Sequence, residues 1–195
     1  MNFNEQLKRA ELLAGILADG AGYEAELVGG ALRVQALGGE TGDFDIAIIV
    51  DDSDELEALH RDVTQIVCPK LGFQFQVAHY SEYGNTGNGF LADWRLEDIN
   101  IIAYHREAVC DIDDLIGKFD LNINQWYRND DGLLVNDFYD EDTKLVKINP
   151  KRDGLGQIVR LTDRIERFRS LYPDLDWSEI DSRRRECSLY GVTYE

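Results

Sequence analysis

The sequence predicts an α/β (α+β) fold in which helices flank a mixed sheet and the C-terminal segment is helical. Two observations favour this class. Stretches with the apolar patterns of strands are interspersed with stretches of helical periodicity, and after residue 150 only helical patterns follow. An apolar content of 44% with 10% aromatic residues is typical of a folded chain. We therefore expect one domain over residues 1–150 and a helical extension over residues 151–195 that packs on it.

Helices and strands alternate in the first part of the prediction. Leu7, Ala10 and Leu13 recur at helical spacing, and the apolar run 46–50 is typical of a buried strand. The predicted elements are a helix over 4–19, a strand over 25–28, a short helix over 31–37, a strand over 44–50 and a helix over 54–67. We expect Pro69 to end the last of these helices, because proline disrupts helical hydrogen bonding.

The rest of the chain predicts further strands and then helices. The elements are strands over 73–79, 95–104 and 144–148, a short helix over 111–119, and helices over 155–172 and 178–189. The turn residues at 129–132 predict a hairpin within 121–135. The polar loop over 81–89 is either a substrate flap or a simple connector.

Charge is strongly acidic and unevenly distributed along the chain. The net charge is −18, yet residues 144–195 carry 11 Lys and Arg against 9 Asp and Glu. An acidic body repels nucleic acid except at a local basic patch, which argues against a general nucleic-acid coat protein. It leaves open an acidic protein that binds a basic protein partner.

The cysteines and apolar runs indicate a cytoplasmic protein with no membrane partner. Cys68, Cys110 and Cys187 are widely spaced and form no Cys-x-x-Cys pair, so neither a disulfide framework nor a zinc site is indicated. No apolar run approaches the roughly 20 residues that span a bilayer. The N-terminal residues also lack a signal-peptide pattern.

A glycine pair and a pair of aspartates carry the most informative chemistry. Gly29 and Gly30 stand between a predicted strand and a predicted helix, where backbone N–H groups can approach a phosphate closely. Asp43 and Asp45 begin the next strand and project to the same face. Such a carboxylate pair is suited to Mg²⁺, a hard ion that takes carboxylate and phosphate oxygens.

A plainer interpretation of both motifs exists. Glycine pairs usually mark turns, and Asp-x-Asp in an acidic protein is often a solvated loop. The apolar run 46–50 follows Asp45 directly, which is too apolar for a surface loop. The combination therefore favours a phosphate and metal site.

Together, Gly29, Gly30 and Arg33 followed by Asp43 and Asp45 resemble the nucleotidyltransferase superfamily of DNA polymerase β. The likeness is strongest to the head domain of class II CCA-adding enzymes and bacterial poly(A) polymerases. The resemblance implies a nucleotidyltransferase-like domain in which the glycines cradle a triphosphate and the aspartates bind Mg²⁺. It also makes Arg33 a nucleotide-binding candidate, and pairing with a nearby carboxylate is the structural alternative.

A second block, 118–125, is similar to the Arg-Arg-Asp-Phe-Thr-Ile-Asn-Ala segment of the family. Asp120, Ile123 and Asn124 match, and Phe119 stands where the family has its second arginine. The resemblance implies that Asp120 and Asn124 contact the nucleotide. Taken alone, the segment reads as a helix end followed by a strand.

The third carboxylate of such sites comes from a later strand in the family. The candidate strand places Asn100 at the expected position, with Asp98 two residues earlier on the same face. Asparagine can ligate a metal through its carbonyl oxygen but cannot act as a base. We therefore assign Asp98 to the catalytic set with Asp43 and Asp45. Val34 is a further departure, since the family has aspartate there.

The sequence thus predicts a minimal Mg²⁺-dependent nucleotidyltransferase. It would transfer NMP from an NTP to a hydroxyl of an RNA end, a protein or a small molecule, with pyrophosphate release. The alternative is a catalytically weakened relative that acts as an acidic protein-binding module. Arg160, Arg164 and Arg167 align on one helix face and either guide a phosphate ligand or balance the acidic body.

Overall fold

A five-stranded mixed sheet forms the centre of the first part of the chain. The computed structural model describes residues 2–80, 89–150 and 161–189. The strands are β1 (Glu24–Val28), β2 (Phe44–Val50), β3 (Phe75–Tyr80), β4 (Phe90–Leu96) and β5 (Ile99–His105), in the spatial order β1-β2-β5-β4-β3. β2 and β5 are parallel, whereas the other neighbours are antiparallel. The predicted class, a mixed sheet with flanking helices, is confirmed.

The helices follow the strands in the order that the periodicity predicts. They are α1 (Phe3–Gly15), α2 (Gly30–Leu37), α3 (Ser53–Arg61), α4 (Cys68–Leu71), α5 (Ile112–Ile116), α6 (Thr162–Leu171) and α7 (Ser178–Leu189). π-helical turns over Ile16–Gly20 and Asp62–Val67 extend α1 and α3. A short hairpin, β6 (Tyr127–Arg128) with β7 (Leu134–Val135), forms around the predicted turn.

The described residues fall into two compact units. Unit 1 comprises 2–31 and 41–115, and unit 2 comprises 32–40 and 116–189, within the described ranges. The predicted division into a domain over residues 1–150 and a helical extension over residues 151–195 that packs on it stays a prediction.

On the face of the sheet opposite to Asp45, large apolar side chains are fully buried. Ile46, Ile101 and Trp94 lie on that face of β2, β5 and β4, and each is fully buried. α1 packs against β1 and β2, with the Phe3 and Phe44 rings 5.6 Å apart. Burial of such large apolar side chains is the main force that stabilises the sheet. Asp45 lies on the other face of the sheet, where Ala47 and Ile49 of β2 are also fully buried.

Unit 2 combines helices with irregular segments held by buried polar side chains. The Asn122 amide donates to the carbonyl oxygens of Phe138 (3.1 Å) and Leu145 (2.9 Å), and its oxygen accepts from the Lys147 N–H (2.9 Å). These bonds satisfy backbone groups that no sheet pairs, a requirement for buried irregular backbone. The Asn122 side chain thus supplies hydrogen bonds that a neighbouring strand would supply in a sheet.

Three predicted elements were wrong in extent. The strand over 95–104 is two strands, because Glu97 takes a left-handed conformation (φ 60°) and turns the chain between β4 and β5. Pro69 does not end the helix, since it lies in the first turn of α4, where a missing N–H costs little. The strand over 144–148 is reduced to isolated bridges, Leu121 with Ile148 and Leu145 with Asp176.

Some predictions fall outside the described residues. These are most of the loop over 81–89, the start of the helix over 155–172, and Arg160. Among the helices that the structure does describe, none has the length and apolar content needed to cross a membrane.

Candidate functional site

Strand register in unit 1 brings two of the predicted aspartates to one amide. Asp45 on β2 is paired with Asn100 on the parallel neighbour β5. The Asn100 Nδ2 donates to Asp45 Oδ1 at 2.8 Å and lies 3.5 Å from Asp43 Oδ2. Asp43 is exposed and Asp45 is half-buried. The two carboxylates therefore converge on one point at the N-terminal ends of the interior strands β2 and β5.

Gly29 lies directly against this carboxylate pair. It follows β1, whose last residue, Val28, is in register with Asp45. Its φ of 74° lies in the left-handed region that favours glycine, and a Cβ built there would lie 3.7 Å from Asp45 Oδ2. Gly30 then begins α2, whose first N–H groups have no partner within the helix. The turn thus presents backbone donors beside two carboxylates, as a site for a phosphate and its metal requires.

Asp98 does not lie on the face of β5 where the sequence placed it. It occupies the turn before β5, where its carbonyl oxygen accepts the Phe44 N–H at 2.9 Å. The cause is the left-handed Glu97, which closes the β4–β5 hairpin at this point. The structure brings Asn100, not Asp98, into hydrogen-bond distance of Asp45. A catalytic role for the Asp98 carboxylate stays a prediction.

Tyr104 is a neighbour of the site that the sequence analysis missed. Burial, followed by the negative charge of Asp45, raises the pKa of Tyr104 to about 12. The phenol therefore stays protonated at neutral pH and cannot act as a base there. The alternation of side chains along β5 would have indicated Tyr104, because Asn100 and Tyr104 lie four residues apart and therefore on the same face.

The donor set of this site suits a small hard cation. Asp43 and Asp45 offer carboxylate oxygens, and Asn100 carries an amide oxygen as well as the donating nitrogen. Among the described residues, His, Cys, Asp and Glu form no group of three or more suited to a metal. Two carboxylates that already converge on one amide fit Mg²⁺, which usually binds through one or two carboxylates and keeps several waters.

Replacing Asn100 with aspartate is expected to make the stability of the protein depend on Mg²⁺. The variant loses the 2.8 Å bond to Asp45 and adds a third negative charge beside two others. We expect a loss of about 1–3 kcal/mol in the presence of EDTA, recovered when Mg²⁺ is added. Thermal unfolding of both proteins with EDTA and with Mg²⁺ measures this.

The control for this prediction is Asn100→Ser, which removes the amide without adding a charge. It should lose stability in EDTA and, with one carboxylate fewer than Asn100→Asp, recover less of it in Mg²⁺. Equal unfolding midpoints for Asn100→Asp and the natural protein in EDTA would contradict the convergence of the two carboxylates on Asn100.

Arg33, the third residue of the glycine motif, is buried within unit 2. Its side chain is engaged on three sides: Nε donates to the Tyr172 hydroxyl at 3.1 Å, Nη1 donates to Asn124 Oδ1, and its Cζ lies 4.3 Å from the centre of the Phe168 ring. Only 4% of the residue is exposed. Burial is the main cause that lowers the pKa of Arg33. These contacts fit a structural role, and nucleotide binding by Arg33 stays a prediction.

The other two predicted nucleotide contacts also have arginine partners in unit 2. Asp120 accepts from Arg164 Nη1 at 2.6 Å, and Asn124 is buried with its oxygen on Arg33. The segment that holds Asn124 is a 3-10 turn (Asn122–Asn124), not a helix end followed by a strand. The Arg164 pair fits charge balance, the plainer of the two roles expected for the arginine face.

Comparisons with known proteins identify the fold. No family model and no curated protein matches the chain. Solved structures do match. A tRNA-processing enzyme in an apo form has a TM-score of 0.59 at 16% identity, over 95% of this chain and 47% of that one. The Thermotoga maritima CCA-adding enzyme complexed with tRNA has a TM-score of 0.59 at 17% identity, over 96% of this chain and 43% of that one.

A third likeness is to a tRNA nucleotidyltransferase complexed with a primer tRNA and an incoming ATP analog. Its TM-score is 0.55 at 18% identity, over 92% of this chain and 51% of that one. The chain thus spans about half the length of these proteins. At such identity the likeness concerns the fold, and the expected resemblance to the nucleotidyltransferases of the CCA-adding type is confirmed: this chain has the nucleotidyltransferase fold.

Proposed function

We propose that the chain is a minimal Mg²⁺-dependent nucleotidyltransferase. It would transfer NMP from an NTP to an acceptor hydroxyl on an RNA end, a protein or a small molecule. The observation that carries the proposal is the convergence of Asp43 and Asp45 on Asn100 with Gly29 beside Asp45, on the nucleotidyltransferase fold. Glycine backbone, carboxylates and fold all favour the same ligand, a metal-bound nucleoside triphosphate.

The roles of the residues follow from their chemistry. Gly29 and Gly30 would present backbone N–H groups to the triphosphate, and Asp43 and Asp45 would hold Mg²⁺. Bound there, the metal ion would supply charge neutralisation and a lower pKa for the attacking hydroxyl. The acceptor oxygen attacks the α-phosphorus, the bond to the bridging oxygen of the β-phosphate breaks, and pyrophosphate leaves. The hydroxyl proton goes to solvent or to Asp98, the candidate base.

A second candidate function is supported by Asn100. Asn100 stands where the family has a carboxylate, so the site has one carboxylate fewer than the family pattern. Its amide cannot take the proton from the attacking hydroxyl. The net charge of −18 would attract a basic protein surface. The alternative is therefore a catalytically weakened relative that binds a basic protein.

Removal of Mg²⁺ is expected to abolish nucleotidyl transfer. Each NTP, labelled at the α-phosphate, is incubated with the chain, a mixture of RNAs with free 3′-hydroxyls, and cell extract. Label should pass to one acceptor class with release of pyrophosphate in Mg²⁺ and stop when EDTA is added. Absence of transfer from every NTP, with capture of a basic protein at low salt, would instead support the binding module.

A further inference from the structure

The stretch around the β6–β7 hairpin of unit 2 combines exposed apolar side chains with carboxylates. Five large apolar side chains are exposed among the described residues, and two of them, Leu133 (61%) and Phe138 (53%), lie in this one stretch. Residues 129–143 carry six carboxylates and no lysine or arginine, and all six acidic residues are exposed. We give the name hairpin patch to Leu133 and Phe138 together with these acidic residues, which are Asp130, Asp131, Asp137, Asp140, Glu141 and Asp142.

Asparagine side chains hold the backbone of both apolar residues. The Leu133 N–H donates to Asn129 Oδ1 at 2.9 Å, and the Phe138 N–H donates to Asn136 Oδ1 at 2.9 Å. The Phe138 carbonyl oxygen also accepts from Asn122 Nδ2 at 3.1 Å. Because this backbone is already ordered, a partner that packs on the two side chains loses less free energy to ordering of the chain.

One carboxylate lies on the same face of the hairpin as Leu133. Tyr127 of β6 pairs with Val135 of β7, and the Tyr127 hydroxyl donates to Asp137 Oδ2 at 2.7 Å. Paired residues share a face, and Leu133 precedes Val135 by two residues, so it projects to that face as well. Apolar surface and negative charge therefore lie side by side in the hairpin patch.

The charge of the hairpin patch limits the kinds of partner that it can bind. Six carboxylates repel the phosphates of a nucleic acid. An isologous dimer of this chain would set one acidic patch against another, and the net charge of −18 opposes contacts between copies in general. A protein surface with lysine or arginine around apolar side chains is complementary, because its cations face the carboxylates while its apolar groups cover Leu133 and Phe138.

We propose that the hairpin patch binds a basic amphipathic segment of a partner protein. Leu133 and Phe138 are five residues apart, so their Cα atoms lie within about 18 Å of each other. A helix of about 12 residues spans that distance. Its apolar face would pack on the two side chains, and its lysines or arginines would pair with the carboxylates. The proposal does not depend on nucleotidyl transfer, because Asp43 and Asp45 belong to unit 1.

The experiment measures binding of a synthetic helical peptide to the full chain. The peptide has about 14 residues, with leucines at helical spacing on one face and lysines at the other positions, and fluorescence anisotropy follows its binding. Leu133→Ser and Phe138→Ser should each weaken binding roughly tenfold, because each removes apolar area that the peptide buries. The matched control is Leu12→Ser, which removes a 55% exposed side chain from α1 of unit 1 and should leave the affinity unchanged.

A second set of variants tests the role of charge. Asp130→Asn combined with Asp131→Asn should weaken peptide binding and make the affinity less dependent on salt. Glu57→Gln combined with Glu107→Gln removes two exposed carboxylates of unit 1 and should change neither measurement. A peptide of the same composition, with its leucines spread evenly around the helix, should bind roughly tenfold more weakly because it has no apolar face.

Four results would overturn the proposal. Three concern the peptide: no binding to the natural protein, equal affinity in Leu133→Ser and Phe138→Ser, or an equal loss in Leu12→Ser. The fourth is dimerisation of the natural chain, measured by light scattering, that Leu133→Ser abolishes, because the hairpin patch would then bind a second copy. Thermal unfolding midpoints should be equal in all variants, since the replaced side chains are exposed.

Nucleotidyl transfer is measured on the same variants, so that the two proposals fail separately. Leu133→Ser and Phe138→Ser should transfer label from an NTP at the natural rate. Peptide binding by a chain that transfers no nucleotide would support the hairpin patch as a docking surface and refute the proposed transfer.

Discussion

Replacing Asp45 with asparagine is expected to abolish Mg²⁺-dependent nucleotide binding and transfer without unfolding the protein. Asp45 lies at the centre of the site, 2.8 Å from Asn100 Nδ2 and beside Gly29. An amide of equal size keeps an acceptor for Asn100 but halves the negative charge available to the metal. The loss of activity should exceed the 10- to 100-fold typical of a group that only supports a metal ligand.

Calorimetric titration of NTP with Mg²⁺ and the α-label transfer assay measure this effect. The matched control is Glu57→Gln, which removes one carboxylate from an exposed position of α3 and should leave both measurements unchanged. The unfolding midpoint of Asp45→Asn should stay within a few degrees of the natural value. Full Mg²⁺-dependent nucleotide affinity in Asp45→Asn would refute the metal site.

The second large effect is expected from Arg33→Ala, which should destabilise the protein by about 3 kcal/mol. Truncation leaves buried Asn124 and the Tyr172 hydroxyl without their donor, at a cost of about 1–3 kcal/mol. It also removes a guanidinium stacked 4.3 Å from the Phe168 ring, worth about 0.5–2 kcal/mol. Part of the loss is offset, because burial of the cation itself is unfavourable and lowers the pKa of Arg33.

Urea and thermal unfolding of Arg33→Ala, Arg33→Lys and Arg33→Met measure this prediction. In a chain of 195 residues the midpoint should fall by roughly 6–12 °C in Arg33→Ala. Arg33→Met, which fills the space without a charge, should lose less stability, whereas Arg33→Lys keeps the charge but not the fork of donors. Unchanged stability with loss of NTP binding would instead show that Arg33 serves the nucleotide.

Local sequence patterns predicted most elements of unit 1 because those elements depend on local signals. β2 has the predicted bounds, since the unbroken apolar run 46–50 follows the second aspartate, Asp45. The β4–β5 turn was missed because a positive φ is uncommon at a residue such as Glu97, where a glycine or asparagine would have indicated it. The bridges that replace the strand over 144–148 depend on a buried side chain, Asn122, which lies far away in sequence.

Local patterns likewise predicted only part of the candidate site. The spacing of Gly29, Asp43 and Asp45 predicted that they lie close together, because a turn and a strand place them; their role as a site stays a prediction. The partner that joins the carboxylates, Asn100, depends on the register of a parallel pair, which no local pattern encodes. The contacts of the Arg33 side chain could not be predicted from local patterns either, since Tyr172 lies 139 residues further along the chain.

Asn100 has a consequence for the site that an aspartate would not have. Its planar amide carries a donor on one side and an acceptor on the other. With the donor turned inward, it relieves the repulsion between Asp43 and Asp45; a half-turn about the Cβ–Cγ bond would face a cation with the oxygen instead. One side chain can therefore stabilise the site in two charge states, at the expense of a group able to accept a proton.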